Sequence, residues 1–119
     1  MEKVDGIGGV FFRAKDPGGL AKWYAENLGV DEVPQDYNTP AWETSAGTCV
    51  FAPFAEDTEY FGEGKAFMVN FRVRDMDAMI AQLESNGNSV ERAPEAYPNG
   101  VFAWVHDPEG NKIELWEPK

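Results

Sequence analysis

The sequence predicts an α+β fold in which two paired βαβββ modules form a cupped mixed sheet around a cleft. Three observations carry this. One short pattern occurs twice, each copy runs into a capped amphipathic segment, and each is followed by alternating stretches between turn signals. Val10-Phe11-Phe12-Arg13-Ala14-Lys15-Asp16 aligns with Val69-Asn70-Phe71-Arg72-Val73-Arg74-Asp75, keeping Val, Phe, Arg and Asp in register. The copies also end alike: Ala41-Trp42 followed by Gly47 to Phe51 parallels Ala103-Trp104 followed by Gly110 to Glu114. A chain of 119 residues makes a single domain over 1–119, with module one at about 7–54, an acidic linker at about 55–65 and module two at about 66–119.

Each element has a local cause. Val10, Phe12 and Ala14 alternate with Phe11, Arg13 and Lys15, the period of a half-buried strand. Asp16 is placed to cap a helix that starts at Pro17, buries Leu20, Trp23, Tyr24 and Leu28 on one face, and stops at Gly29. In the second copy Asp75 caps, Met76, Met79, Ile80 and Leu83 form the stripe, and Asn86-Gly87 ends it. Pro98-Asn99-Gly100 and Asp107-Pro108-Glu109-Gly110 are hairpin signals between strands. Neither helix can bury its apolar stripe except on its own strands, which sets two modules side by side.

Alternation then assigns faces. With Val69, Phe71, Val73, Val101, Ala103, Val105, Ile113 and Leu115 in the core, Asn70, Arg72, Phe102, Trp104, His106, Lys112, Glu114 and Trp116 turn to the opposite side. Phe11, Arg13 and Phe51 join them from module one, and Trp42 is a further wall. So large an apolar face with a few polar groups has the composition of a small-molecule site. The ligand-binding candidates are therefore Phe11, Arg13, Trp42, Phe51, Asn70, Arg72, Phe102, Trp104 and Trp116.

Composition narrows the function classes. A formal net charge of −11 repels a polyphosphate backbone, which argues against nucleic acid. No apolar run approaches the roughly 18–20 residues of a membrane span, and the opening residues lack the apolar core of a secretory signal. One cysteine, Cys49, allows neither an internal disulfide nor a cysteine-built zinc site and is expected to pack on a strand. A cytoplasmic location is expected.

Two motifs extend the reading. Arg-x-x-Asp-Pro leads into a helix ending Trp-Tyr-x-x-x-Leu-Gly (Arg13 to Gly29), and Asp-Pro-x-Gly-Asn-x-Ile-Glu-Leu lies near the end (Asp107 to Leu115). Together they resemble the vicinal oxygen chelate superfamily, which includes glyoxalase I, bleomycin resistance proteins, extradiol dioxygenases and fosfomycin resistance enzymes. The resemblance covers nearly the whole chain. It implies paired βαβββ modules, often a homodimer with clefts sometimes built from two chains, and in the enzymes a divalent metal held by about four His, Glu or Gln side chains. Carried over by motif, those four positions are Gly9, about Phe51, Met68 and Glu114. Only Glu114 suits a hard or borderline cation, so no metal and no cofactor are expected.

Several roles stay open at this level. Glu114 is a general base or a relic paired with Arg13 or Arg72; His106, the only histidine, is catalytic or holds the adjacent turn. Arg13 and Arg72 grip an anionic ligand or neutralise nearby acids; an arginine at the position of Arg13 contacts a glutathione carboxylate in glyoxalase I. The reading that follows is metal-free binding of a small aromatic or acidic molecule. One alternative is a glyoxalase-like lyase or isomerase using Glu114; another is an accessory or regulatory protein acting through its surface.

Overall fold

The computed structural model describes residues 1–119. Its order is α1 (Pro17–Leu28), β1 (Val69–Arg72), α2 (Met76–Ser85), β2 (Glu91–Arg92), β3 (Gly100–His106) and β4 (Lys112–Pro118), an α+β architecture with one sheet ordered β1-β4-β3-β2. β1 runs parallel to β4, and β4, β3 and β2 are joined antiparallel. The second half is thus a βαβββ unit. Both helices begin as the sequence requires: Asp16 accepts from the Gly19 amide and Asp75 from the Ala78 amide. Gly29 closes α1 at φ 70°, a left-handed conformation costly for any residue with a Cβ.

Val73, Met76, Leu83, Ala103, Val105, Ile113 and Leu115 form the core, with Trp23, Tyr24 and Leu28 of α1 packed against it. The alternation read from the sequence therefore holds through β3 and β4. Gly100 is fixed by a close approach, because a Cβ there would stand 2.2 Å from the Glu117 carbonyl oxygen.

The first half differs from expectation. Residues 10–15 and 47–54 belong to no hydrogen-bonded ladder, and only α1 of the expected first module is regular structure. Phe11 is 94% exposed and Phe51 84%, and Cys49 is exposed rather than packed. Of the 13 buried residues only Leu20 and Asn27 precede Val73. The physical reason is that a strand exists only beside another strand, and no other strand of the single chain pairs with these segments. Beside the apolar packing of α1 on the core, polar contacts dock the first half. Glu109, in the β3–β4 turn, accepts from the Lys15 and Asp16 amides at 2.7 and 2.9 Å. Tyr24 donates to Asp107 at 2.8 Å.

The Tyr24 phenol is held well above the usual tyrosine range, first by burial and then by the Asp107 carboxylate. Below about pH 10 it is protonated both folded and unfolded; above that the unfolded chain ionises first, so stability falls as pH rises. Tyr24→Phe should cost about 1–2 kcal/mol in urea unfolding at pH 7. It should also lose less stability than the parent between neutral and strongly alkaline buffer. An equal alkaline loss in both would contradict this role for Tyr24.

Candidate functional site

Strand register builds the site. Glu114 of the central strand β4 pairs with Asn70 of β1 on one side and Trp104 of β3 on the other, so the three side chains form one row across the outer face. Asn70 Nδ2 donates to Glu114 Oε1 at 2.8 Å, and Trp104 Nε1 donates to Oε2 at 3.0 Å. The next row is Arg72, Trp116 and Phe102. Here Trp116 and Phe102 are stacked at 6.2 Å, and Trp116 Nε1 donates to the Asn99 carbonyl. His106 and Lys112 face each other at the other end.

A second segment reaches this face. Tyr60, from the acidic stretch between the halves, donates its hydroxyl to Glu114 Oε2 and accepts from Trp104 Nε1 at 3.2 Å. Lys112 Nζ lies 4.2 Å from the centre of the Tyr60 ring and 5.5 Å from that of Trp104, a cation–π arrangement, and donates to the Tyr60 carbonyl at 2.9 Å. Phe54 packs on Tyr60 from behind, with ring centres 5.9 Å apart. Beside this strap a hollow of about 480 Å³ opens between Pro53, Phe54, Phe61, Lys65, Phe67 and Met68.

The residues named from sequence divide accordingly. Asn70, Arg72, Phe102, Trp104, Glu114 and Trp116 share the face; Trp116 is buried within it rather than lining open space. Glu114 pairs with three neutral donors, not with Arg13 or Arg72. Arg72 donates instead to the carbonyls of Ser45 and Ala46, at 2.8 and 3.4 Å, and Arg13 is exposed. Trp42 meets Phe71, a residue of the core side, edge-on at 6.2 Å. Phe11 and Phe51 stand in the open, and His106 is exposed at the end of β3.

Tyr60 and Lys112 were not among the sequence candidates. The available signal was the aromatic pair Tyr60-Phe61 inside an otherwise polar, acidic stretch.

The donor set does not fit a divalent cation. No three His, Cys, Asp or Glu side chains lie close enough together to share one, and Gly9, Phe51 and Met68 offer no oxygen or nitrogen side-chain donor. Chemically the row is a carboxylate that accepts from three neutral donors among aromatic rings. No helix is long and apolar enough to cross a membrane.

Comparison with known proteins gives the same outline. The family model of the glyoxalase-like domain matches residues 9–116. Among solved structures, TnmS3, an antibiotic binding protein from Streptomyces sp. CB03234, is 25% identical over 88% of this chain and 88% of its own, with a TM-score of 0.57. A glyoxylase/bleomycin resistance protein/dioxygenase domain from Frankia sp. EAN1pec has a TM-score of 0.61 at 18% identity over 98% of this chain and 100% of that one, a likeness of fold. A protein from Bacillus anthracis is 32% identical over 50% of this chain and 48% of its own, with a TM-score of 0.42, so the chain spans about half of that relative. No curated protein is matched.

The Tyr60 phenol is pushed up to about 12, first by burial and then by its hydrogen bond to Glu114. Glu114→Gln should bring its ionisation back toward the ordinary tyrosine range. Tyrosinate absorbance during alkaline titration reads this out, with Tyr60→Phe identifying which transition belongs to Tyr60. An unmoved transition would separate Tyr60 from Glu114.

Proposed function

The chain belongs to the glyoxalase-like domain family, and from that premise we propose that it binds a small aromatic or acidic molecule in its aromatic-lined cleft without a metal. The observation that carries this is the Asn70–Glu114–Trp104 row, flanked by stacked Phe102 and Trp116. It offers flat apolar contact around one fixed polar group, the usual construction of a small-molecule site. That TnmS3 is an antibiotic binding protein supports the same reading. Lyase or isomerase chemistry is disfavoured: Glu114 is the only acid at the carried-over metal positions, and the Lewis acid that would stabilise an enediolate has no ligand set.

The working form is a homodimer. The accessible surface is 9281 Å², whereas a compact chain of 13.2 kDa exposes about 6,400 Å². The radius of gyration is 15.2 Å against about 13.5 Å for a compact chain of this length. The surplus exceeds what one partner of a standard interface buries, about 800 Å². Much of it is apolar and lies in the first half: Val10, Phe11, Val50 and Phe51 are all more than half exposed. A second copy with the same open segments supplies what they lack, and Phe11, Arg13 and Phe51 then take their place at a cleft shared between chains.

Tryptophan fluorescence titrated with naphthalene derivatives should show saturable quenching. Melting with added Mn, Ni, Zn or Fe(II) should leave the transition where it is. No saturable quenching by any compound would overturn the binding reading, and a rise of several degrees with a metal would overturn the metal-free part. Light scattering coupled to gel filtration should give twice the chain mass; a monomer at micromolar concentration would remove the shared cleft.

A further inference from the structure

Glu114 has two kinds of partner. Asn70 and Trp104 come from the strands on either side and are held to it by register. Tyr60 comes from 54 residues away, on a stretch of turns that contains no helix or strand. The sheet therefore provides a carboxylate oriented by two fixed donors and able to take one more, and the strap fills that place with a phenol. Around the phenol stand Lys112, stacked over its ring, and Phe54 behind it.

We propose that Tyr60 is a built-in occupant of the ligand site, and that the ligand is a neutral aromatic molecule bearing a hydroxyl group, which displaces Tyr60 and donates its O–H to Glu114. This rests on the reading of the outer face as the ligand cleft and selects within it. The chemistry of the surroundings makes the selection. A ligand carboxylate would meet Glu114 with like charge and bring no proton to donate. A cation would meet Lys112. Arg72, the nearest candidate for gripping an acid, is engaged with the Ser45 and Ala46 carbonyls. A group that donates is needed, because Asn70 Nδ2 and Trp104 Nε1 already supply the other hydrogens and the carboxylate only accepts. An electron-rich ring is favoured because the Lys112 ammonium lies over the position it would take. The hollow beside the strap gives space for a body larger than one ring, or for Tyr60 itself when it leaves. Binding is then an exchange of one phenol for another, so the strap lowers affinity for any ligand that cannot replace the hydrogen bond it breaks.

The test compares 2-naphthol, 2-methoxynaphthalene and 2-naphthoate by calorimetry on the full chain, on Tyr60→Ala and on Tyr60→Ala combined with Glu114→Gln. The first has the donor, the second the same ring without it, and the third the charge. The parent chain should prefer 2-naphthol over the other two by about tenfold, the scale of one hydrogen bond to a charged group. Tyr60→Ala should bind 2-naphthol more tightly than the parent, and adding Glu114→Gln should abolish the preference over the methoxy compound. A fluorine label on the tyrosines gives a readout on the parent chain itself: the Tyr60 signal, assigned with the conservative Tyr60→Phe, should move when 2-naphthol is added. Equal binding of all three compounds, tighter binding of 2-naphthoate, or a Tyr60 signal that stays put while 2-naphthol binds overturns the exchange and leaves the cleft reading standing. Absence of binding by every compound to every folded variant overturns both.

Discussion

One buried carboxylate governs the geometry of the whole site. Asp107 is 4% exposed and accepts from the Tyr24 hydroxyl, the Glu109 and Asn111 amides and the Asn111 side chain. A buried charge is tolerable only when its lone pairs are filled, and here they are filled by groups from the turn itself and from α1. The effect is to fix the turn between β3 and β4. That turn sets their register, and the register places Trp104 opposite Glu114 and Phe102 opposite Trp116. Removing the carboxylate side chain would leave several donors without partners at once.

The same turn also carries the link to the first half. Pro108 separates Asp107 from Glu109, so one carboxylate faces inward to the turn and α1 while the other receives the backbone amides that enter α1. Position and function thus share a support. The face that is proposed to meet a ligand, and the helix α1 that packs beside α2 on the opposite side, are held by side chains two residues apart.

What could be read from the sequence follows the range of the interactions concerned. The helix limits at Asp16, Pro17, Gly29, Asp75 and Asn86 were legible because caps are made within a few residues. The face bearing Asn70, Trp104 and Glu114 was legible because alternation along a strand needs no knowledge of its neighbours. The ladder expected for Val10 to Lys15 was not fulfilled in the single chain, since alternation describes a strand's sides and says nothing about whether an edge is available to it. Tyr60 was invisible for a related reason: its partners, Glu114 and Trp104, are 54 and 44 positions away, and only the folded strap brings them together. Arg72 shows the converse. Its residue type suggested an anion, but the nearest acceptors turned out to be main-chain carbonyls, and the guanidinium lies so close to Gly47 that a Cβ there would oblige it to move.

The lateness of Glu109 in the chain has a consequence for synthesis. The amides of Lys15 and Asp16 leave the ribosome more than ninety residues before the acid that receives them, and the core on which Trp23 and Tyr24 rest is completed only when β4 has emerged. During translation the aromatic first half therefore waits unpaired, while each nascent chain on a polysome trails an identical waiting segment. Apolar surface left open until β4 appears is the kind that nascent chains lose to association with one another, so prompt closure of the sheet protects the first half as well as the second.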